Sequence, residues 1–458
     1  MTQTVTNPKN AQVLHEFPVL SAAERDATLT ASQNAYKSWR NTSFAERAAL
    51  MNRVAEVMRE DRERLALLMT DEMGKPIREA RGEVDKAVWC AEHYASHAEQ
   101  YLAPEMLKSD ATASYVQHLP IGTVLGILPW NAPFWLAFRF AAPALMAGNA
   151  CVMKHDAHVP GCAAGIAESF AKAGFPEGVF QNLPLETQDI AGAIKHPAVA
   201  AVSFTGSDRA GSIVAGQAAE LIKPAVLELG GSDPVIVLAD ADLEKAADIV
   251  VLSRIINAGQ SCIAAKRILI EEPVYETFLE MLKTRFAKLK LGDPREESTD
   301  VGPIARADLR DNLHNQVKAS IEAGARCIMG GEMPDGPGYY YPVTLLADVT
   351  DEMVAFCEET FGPLAVAMPV NDLDHAIDVA NNTAYGLGAA IWTADTAKAM
   401  NIAAQIETGQ VAINGIVKTD PRLPSGGVKR SGYGRELGPH GIKMFVNAQQ
   451  VWVGPAQG

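Results

Sequence analysis

The sequence lacks long apolar runs, and lysine and arginine are scarce relative to acidic residues. No stretch approaches the roughly 18 uninterrupted apolar residues of a membrane-spanning helix. The first residues, MTQTVTNPKN, show no basic region followed by an apolar one. We therefore expect neither a membrane span nor a cleaved signal peptide. A net charge of -15 argues against a surface for nucleic acid or for an acidic membrane.

Disulfide and metal frameworks are also missing. Six cysteines in 458 residues are too sparse for a disulfide scaffold, so we expect reduced, mostly buried thiols in a cytoplasmic protein. His93 and His97 are four apart on a predicted helix, but Tyr94 stands where a zincin has glutamate. His155 and His158 have no other ligand candidate nearby in the sequence. The sequence predicts no bound metal.

What the chain does contain is a succession of helix and strand signals. Ser21 and Ser43 each precede a glutamate by three residues, the spacing of a capping box. The first hundred residues are therefore predicted to be helical, with Gly74 as a helix stop. From about residue 111, apolar runs such as TVLGIL, ACVMK and AVAAVSFT alternate with helix-like segments. This predicts an open α/β sheet, with a second α/β series beginning after the cluster GGSDP.

A strand-to-helix turn suggests a dinucleotide site, although the GxGxxG fingerprint is absent. In SFTGSDRAG the strand-like run breaks at Gly206 and Ser207, directly before a helix. Free backbone N–H groups and the positive end of the helix favour a phosphate there. Taken alone, this stretch is explained better by a simple strand-to-helix turn with a serine N-cap.

Three further residues suggest thiol chemistry. Asn131 in LPWNAPFW follows a predicted buried strand and is either an oxyanion donor or a turn asparagine. Glu228 in VLELGG is a carboxylate in an apolar strand end, either a general base or a salt-bridged structural residue. Cys262 in GQSCIAAKR has no CxxC partner. Thiolate attack on an aldehyde, hydride transfer to a nicotinamide and hydrolysis of the thioester would use this whole set.

The motifs PWNAPFW, FTGS, LELGGSDP, GQSC, EETFGP and GGVKRSGYGREL have the order and spacing found in aldehyde dehydrogenases, which the chain resembles over nearly its whole length. The resemblance implies an α/β fold with a Rossmann-type open parallel sheet, a catalytic domain and a small β oligomerisation arm. The expected NAD(P)-binding domain covers 1–108 and 123–229, the catalytic domain 230–428, and the arm 109–122 and 439–458. A homodimer or homotetramer is expected.

The same resemblance assigns roles at the reacting centre. It makes Cys262 the nucleophile and Glu228 the base that activates water for deacylation. Asn131, together with the backbone N–H of Cys262, would form the oxyanion hole.

The resemblance also implies a NAD(P) site. Glu359 would hold the nicotinamide ribose, Trp130 and Ser207 would contact the pyrophosphate, and Lys154 would reach the adenosine ribose. Many NAD-using members carry glutamate three residues after this lysine, where this chain has Ala157; losing that carboxylate removes repulsion against a 2′-phosphate, so we expect NADP to be accepted as well as NAD. The full set of expected cofactor contacts is Trp130, Lys154, Ala157, Gly206, Ser207, Leu229, Glu359 and Phe361.

Arg139 suggests which aldehyde is used. It lies eight residues after Asn131 in an apolar stretch, where a guanidinium is costly unless it meets an anion. In the succinate-semialdehyde dehydrogenases, whose short bacterial members the chain most resembles, an arginine at this place binds the distal carboxylate of the substrate. We therefore expect succinate semialdehyde first, or another acid-bearing aldehyde, with Trp135 and Arg422 as further contacts. A structural arginine paired with a protein carboxylate is the alternative.

Other activities on this fold remain open at this point. A CoA-acylating or an acyl-phosphate-reducing enzyme is disfavoured by Glu228, because water activated by this base would compete for the thioester. A catalytically silent protein is disfavoured by the intact catalytic set. Ser261 and Ile263 leave Cys262 without a neighbouring cysteine, so its oxidation should give a sulfenic acid or a mixed disulfide.

Overall fold

The computed structural model describes residues 2–454. The strands in this part of the chain are β1 (Thr2–Asn7), β2 (Gln12–Pro18), β3 (Glu105–Met106), β4 (Ala113–Pro120), β5 (Thr123–Leu128), β6 (Ala150–His155), β7 (Phe180–Asn182), β8 (Val199–Thr205), β9 (Ala225–Glu228), β10 (Pro234–Val237), β11 (Arg267–Glu271), β12 (Arg326–Met329), β13 (Thr344–Ala347), β14 (Leu364–Val370), β15 (Gly388–Trp392), β16 (Gln410–Ile413), β17 (Gly432–Tyr433) and β18 (Val446–Val453). The helices are α1 (Ala22–Trp39), α2 (Phe44–Glu60), α3 (Arg62–Met73), α4 (Ile77–Tyr101), α5 (Pro133–Met146), α6 (Pro160–Lys172), α7 (Ile190–Lys195), α8 (Asp208–Ala219), α9 (Leu243–Ile255), α10 (Tyr275–Phe286), α11 (Ala307–Glu322), α12 (Val354–Cys357), α13 (Leu373–Asn381), α14 (Thr396–Ala403) and α15 (Gly438–Ile442).

A six-stranded sheet carries the first α/β series, in the order β17-β9-β8-β5-β6-β7. Its neighbouring strands are parallel except for β17, which runs antiparallel to β9. β5 and β6 are buried along their whole length because both faces of the sheet are covered. Val124 packs into the core beneath the N-terminal helices, and its neighbour Leu125 packs into the core on the opposite face. The predicted open parallel sheet is confirmed.

A seven-stranded sheet carries the second series, in the order β12-β13-β14-β11-β10-β15-β16. Only the β12–β13 pair is antiparallel. The chain passes from the first sheet to the second between β9 and β10, through the predicted boundary segment GGSDP. The carboxyl ends of β5, β8 and β9 therefore lead into the same region as the segment before β11, where crevices for ligands form in open α/β sheets.

The N-terminal region is not entirely helical, so this part of the sequence prediction is wrong. β1 and β2 form an antiparallel hairpin, and the side chains of β1 alternate between exposed and buried positions. The threonines and valine of TQTVTN favour an extended chain. After the hairpin, Ser21 and Ser43 form the predicted capping boxes, and Gly74 ends α3 with φ of 78°.

A separate three-stranded antiparallel sheet has the order β18-β4-β3. All eight residues of β4 are partly exposed, and because successive side chains point to opposite faces, the chain itself covers neither face of this strand completely. It contains much of the predicted oligomerisation arm, whose last residues, 455–458, lie outside the described residues. No helix within 2–454 is both long and apolar enough to cross a bilayer.

The cysteines are less uniformly buried than the sequence suggested. All six are free thiols: Cys90, Cys151 and Cys162 are buried, Cys262 is partly buried, and Cys327 and Cys357 are exposed. The two exposed cysteines lie on the edge strand β12 and at the end of the one-turn helix α12. These positions have no core to face.

Candidate active site

Cys262 lies in the segment between α9 and β11, and the backbone before it is strained. Residues 257–259 have φ values of 56°, 53° and 74°, and each non-glycine residue in this left-handed region costs about 1 kcal/mol or more. Arg254, which is fully buried, donates to the carbonyls of Gly259 at 2.6 Å and Ala265 at 3.2 Å. The guanidinium thus holds the segment on both sides of the cysteine.

The same segment touches the motif EETFGP. A Cβ atom on Gly259 would lie 2.2 Å from the carbonyl oxygen of Gly362, so only glycine fits there. This close backbone approach brings the segment before Cys262 next to the segment that carries Glu359.

Asn131, just after β5, is bonded to the nucleophile segment. Its Nδ2 donates to the carbonyl of Gln260 at 3.1 Å. Its own carbonyl accepts from Lys75 Nζ and Asn257 Nδ2, both at 2.9 Å. Because a side-chain amide carries two N–H protons, one of them remains for a ligand. Because Asn131 is bonded to Gln260, two residues before Cys262, the arrangement favours an oxyanion donor over a simple turn asparagine.

Glu228 ends β9 and is 5% exposed. Its Oε2 accepts from Arg139 Nη2 at 2.9 Å, whereas its Oε1 has no hydrogen-bond donor among the described residues. Burial raises the pKa of Glu228 to about 7, opposed by Arg139 and reinforced by Glu436. A buried carboxylate with one unpaired oxygen and a pKa near neutrality suits the deprotonation of water. The residue thus combines a salt bridge through Oε2 with an unpaired Oε1.

Arg139 does not present a free guanidinium. It is 3% exposed, and its Nη2 lies 2.9 Å from the carboxylate of Glu228 and 2.6 Å from that of Glu436. A third carboxylate, brought by a substrate, would add negative charge to a cation that already has two partners. The predicted contact with a substrate carboxylate therefore loses support, and the alternative of an arginine paired with protein acids describes this structure.

The other two predicted substrate residues have different surroundings. Trp135 is 5% exposed, and the Nζ of Lys86 lies 4.1 Å from the centre of its ring and donates to Thr419 Oγ1 at 2.8 Å. Arg422 is bonded through Nε and Nη2 to Asp420, at 2.9 and 2.6 Å, and its side chain is 66% exposed. The guanidinium of Arg422 is thus already paired with the carboxylate of Asp420. Lys86, which the sequence did not single out, makes no ion pair with any residue in 2–454.

The turn predicted to bind phosphate and the lysine predicted to reach the adenosine ribose lie at the carboxyl ends of β8 and β6. Ser207 is the N-cap of α8 and accepts from the N–H of Ala210. A Cβ on Gly206 would lie 2.7 Å from the ring of Phe204, so a larger residue there would require that ring to shift. Lys154 is 7% exposed, burial lowers its pKa, and within residues 2–454 it forms no salt bridge. A buried ammonium without an anionic partner fits an anionic ligand.

Apolar side chains line the same region. Trp130 and Phe361 meet edge to face, with ring centres 5.8 Å apart. Leu229 packs on α8, where a Cβ on Gly211 would lie 2.5 Å from its side chain. This small residue lets the helix start approach the strand end.

Ala157 lies in the turn after β6 and is partly exposed. The neighbouring Asp156 accepts from the backbone N–H of His158 at 2.9 Å and lies 3.4 Å from its imidazole. Burial acts to raise the pKa of Asp156, but these contacts with His158 outweigh it and bring the pKa to about 2. Asp156 is therefore ionised and engaged within its own turn, and Ala157 beside it adds no further charge.

Glu359 rests on the glycine turn after β9. Its Oε1 accepts from the N–H of Gly231 at 3.1 Å and from Lys266 Nζ at 2.8 Å. A Cβ on Gly230 would lie 2.3 Å from Oε2. The paired glycines of LELGG thus make room for this carboxylate beside the nucleophile segment.

Within residues 2–454, no three His, Cys, Asp or Glu side chains converge as metal ligands would. The rings of His93 and His97 stack with centres 4.4 Å apart. Nε2 of His93 is 3.0 Å from the hydroxyl of Tyr101, and Nδ1 of His97 is 2.8 Å from the carbonyl of His93. Both rings are used inside the helix α4.

Comparison with known proteins adds the family. The match to the aldehyde dehydrogenase family covers residues 1–451. The chain belongs to the aldehyde dehydrogenase family. This aldehyde dehydrogenase is 45% identical over 453 residues to a probable succinate-semialdehyde dehydrogenase (NADP+) of Synechocystis, covering 99% of this chain and 100% of that protein. It is 43% identical over 455 residues to a succinate-semialdehyde dehydrogenase (NADP+) of Mycobacterium avium, covering 98% of this chain and 96% of that one.

Solved structures agree with the fold. A succinic semialdehyde dehydrogenase from Streptococcus pyogenes, crystallised with NADP+, superimposes on this aldehyde dehydrogenase with a TM-score of 0.96. The two chains are 35% identical, and the alignment covers 98% of this chain and 99% of the other. The fold class predicted from the sequence is confirmed.

Proposed function

We propose that this aldehyde dehydrogenase oxidises succinate semialdehyde to succinate and accepts NADP+ as its cofactor. The observation that carries the proposal is the convergence of a thiol, an amide donor and a buried base: Cys262, Asn131 and Glu228. Full-length similarity to proteins named succinate-semialdehyde dehydrogenase (NADP+) favours the substrate and the cofactor.

In the proposed reaction the sulfur of Cys262 adds to the aldehyde carbon. Burial raises the pKa of this thiol to about 11, although the charges of Lys266 and Arg139 act in the opposite direction. The resting group is therefore a thiol at neutral pH and must lose its proton as the carbon–sulfur bond forms. The side-chain amide of Asn131 and the N–H of Cys262 stabilise the resulting oxyanion.

Once a hydride has left the tetrahedral carbon, a thioester of Cys262 remains, and its deacylation completes the turnover. Water adds to the acyl carbon of the Cys262 thioester while Glu228 takes a proton from it through Oε1. The carbon–sulfur bond then breaks, the acid is released and the thiol is regenerated. In an enzyme that forms acyl-CoA, this base would have to be inactive, because activated water would compete with CoA for the thioester.

The residues at the carboxyl ends of β6 and β8, together with Glu359, fit a dinucleotide. Gly206 and Ser207 at the start of α8 suit the phosphates, Lys154 suits an anionic group on the adenosine ribose, and Glu359 suits the hydroxyls of the other ribose. A nicotinamide bound there would accept the hydride that leaves the tetrahedral carbon. Assembly into a homodimer or homotetramer remains part of this proposal, through the sheet β18-β4-β3.

Ala157 is expected to decide cofactor choice. Ala157→Glu should lower kcat/KM for NADP+ at least about tenfold and change that for NAD+ less than about threefold, because the new carboxylate would repel only the extra phosphate. Steady-state kinetics with both cofactors measures this, and Ala157→Gln, of similar size without charge, is the control. A wild-type preference for NAD+ above about a hundredfold, roughly 2.7 kcal/mol, would contradict the proposal.

Lys86 takes the place of Arg139 as the candidate anchor for the distal carboxylate. Burial, and then the charge of Arg139, lower the pKa of Lys86 to about 8, so its ammonium is short of negative charge. An entering carboxylate would supply that charge, between the ring of Trp135 and the hydroxyl of Thr419. Hydrogen bonds between charged partners contribute about 1.5–3 kcal/mol.

We expect Lys86→Met to raise KM for succinate semialdehyde about tenfold to a hundredfold and to leave KM for butanal nearly unchanged. The assay is an aldehyde panel with NAD+ and NADP+, with and without CoA. Arg139→Met should instead lower kcat for both aldehydes, because it removes the partner of Glu228. The exposed Arg422→Met serves as the control for a lost surface charge. An equal rise in KM for both aldehydes in Lys86→Met would refute the role of Lys86 as the carboxylate anchor. Formation of an acyl-CoA product when CoA is added would refute the hydrolytic function.

A further inference from the structure

Lys266 is a fully buried lysine that the proposed reaction leaves without a direct role. It is 1% exposed and lies four residues after Cys262, at the start of β11. The three protons of an ammonium group can serve three acceptors. Here they serve the carbonyl of Gly231 at 2.5 Å, the carbonyl of Cys262 at 2.7 Å and Oε1 of Glu359 at 2.8 Å.

Each acceptor belongs to a different part of the site. Gly231 lies in the glycine turn after the strand of Glu228, Cys262 in the nucleophile segment, and Glu359 in the segment before β14. No other ammonium group in residues 2–454 bonds to all three segments. A single side chain therefore fixes their mutual positions.

The bonds to Glu359 are confined to one of its oxygens. Oε1 accepts from both Lys266 and the N–H of Gly231, and Oε2 accepts no hydrogen bond from the described residues. With its side chain 21% exposed, the carboxylate has one oxygen held by the protein and one left for a ligand.

We propose that Lys266 is a positioning residue that ties the nucleophile segment to Glu359, so that Glu359 offers Oε2 to the nicotinamide ribose while a positive charge stays beside the Cys262 thiol. This inference rests on the proposed roles of Cys262 and Glu359. It adds that the two are mechanically and electrostatically linked through one ammonium group.

The electrostatic part follows from the charges around the thiol. Lys266 and Arg139 favour the thiolate of Cys262, whereas Glu359 and Asp233 disfavour it. Removing Lys266 should therefore slow alkylation of Cys262, and removing the charge of Glu359 should speed it. A side chain with a merely structural role would not give these opposite signs.

The first experiment measures alkylation of the cofactor-free enzyme by iodoacetamide at pH 8, with peptide mass mapping. We expect Lys266→Met to slow modification of Cys262 about tenfold, the effect of one pKa unit on the thiolate fraction, and Glu359→Gln to speed it about threefold. The exposed Cys327 and Cys357 are internal references and should react at unchanged rates. An unchanged Cys262 rate in Glu359→Gln overturns the electrostatic link even if Lys266→Met does not fold.

The second experiment measures binding of NADP+ and NAD+ by protein fluorescence. Lys266→Met should weaken both about tenfold, because the nicotinamide ribose is common to the two cofactors. When Glu359→Gln is already present, adding Lys266→Met should weaken cofactor affinity by less than about twofold, as expected for residues that act as a unit. Unchanged or cofactor-specific affinities overturn the positioning role. If the wild type binds NADP+ and oxidises the aldehyde but the variants bind the cofactors as tightly as the wild type, the proposed function stands and only this inference is removed.

Discussion

Cys262→Ala is expected to lower the rate of aldehyde oxidation by at least about 10⁴-fold, since the reaction needs a covalent intermediate on sulfur. The variant removes one atom from a partly buried position. The contacts that hold the segment use backbone carbonyls, Cys262 O with Lys266 and Gly259 O with Arg254. The fold and the cofactor site should therefore survive.

The measurement is steady-state kcat with succinate semialdehyde, together with Tm and NADP+ affinity of the same preparations. Cys357→Ala, which removes an exposed thiol outside the site, should retain full activity. Residual activity of Cys262→Ala above about 1% of wild type would contradict the assignment of the nucleophile. Loss of NADP+ binding would show instead that the substitution had disturbed the site as a whole.

Glu228→Gln is expected to separate the two halves of the reaction. A glutamine keeps the shape and can still accept from Arg139, but it cannot take a proton from water. The first turnover should give about one equivalent of reduced cofactor per active site, and the following steady state should fall about 10²–10⁴-fold. Rapid mixing with detection of reduced cofactor resolves the burst, and mass spectrometry of quenched enzyme detects the thioester on Cys262.

The pKa of Glu228 gives the same assignment a pH test. Because a base acts in its deprotonated form, kcat of the wild type should fall as the pH drops below about 7. Glu436→Gln removes a charge that raises this pKa, so the acid limb should move to lower pH without a burst appearing. A Glu228→Gln enzyme that turns over without a burst and at the normal rate would exclude this residue as the base.

The sequence predicted correctly those helix ends and strands that are determined by neighbouring residues. The capping boxes at Ser21 and Ser43, the stop at Gly74 and the buried strand β5 depend on residues within one turn or one strand, and all are found. The hairpin β1–β2 was missed because its alternation is short and is followed at once by strong helix signals.

The surroundings of Arg139 could not be predicted in the same way. The physical argument that a buried guanidinium needs an anion was sound, but the anion is supplied by the protein. Glu436 lies almost 300 residues further along the chain, and no local pattern reports such a contact. Lys86 and Lys266 were missed for the same reason, because each matters through partners on other elements.

The C-terminal segment has a consequence for how the enzyme matures on the ribosome. β17 pairs with β9 at Glu228, and Glu436 reaches back to Arg139 and to the hydroxyl of Ser203. Domains usually fold in the order in which they are synthesised, yet the first sheet receives its last strand and its second buried acid only when residues 432–436 have emerged. The surroundings of Glu228 are therefore incomplete until these residues have been synthesised, which delays any thioester chemistry to that point.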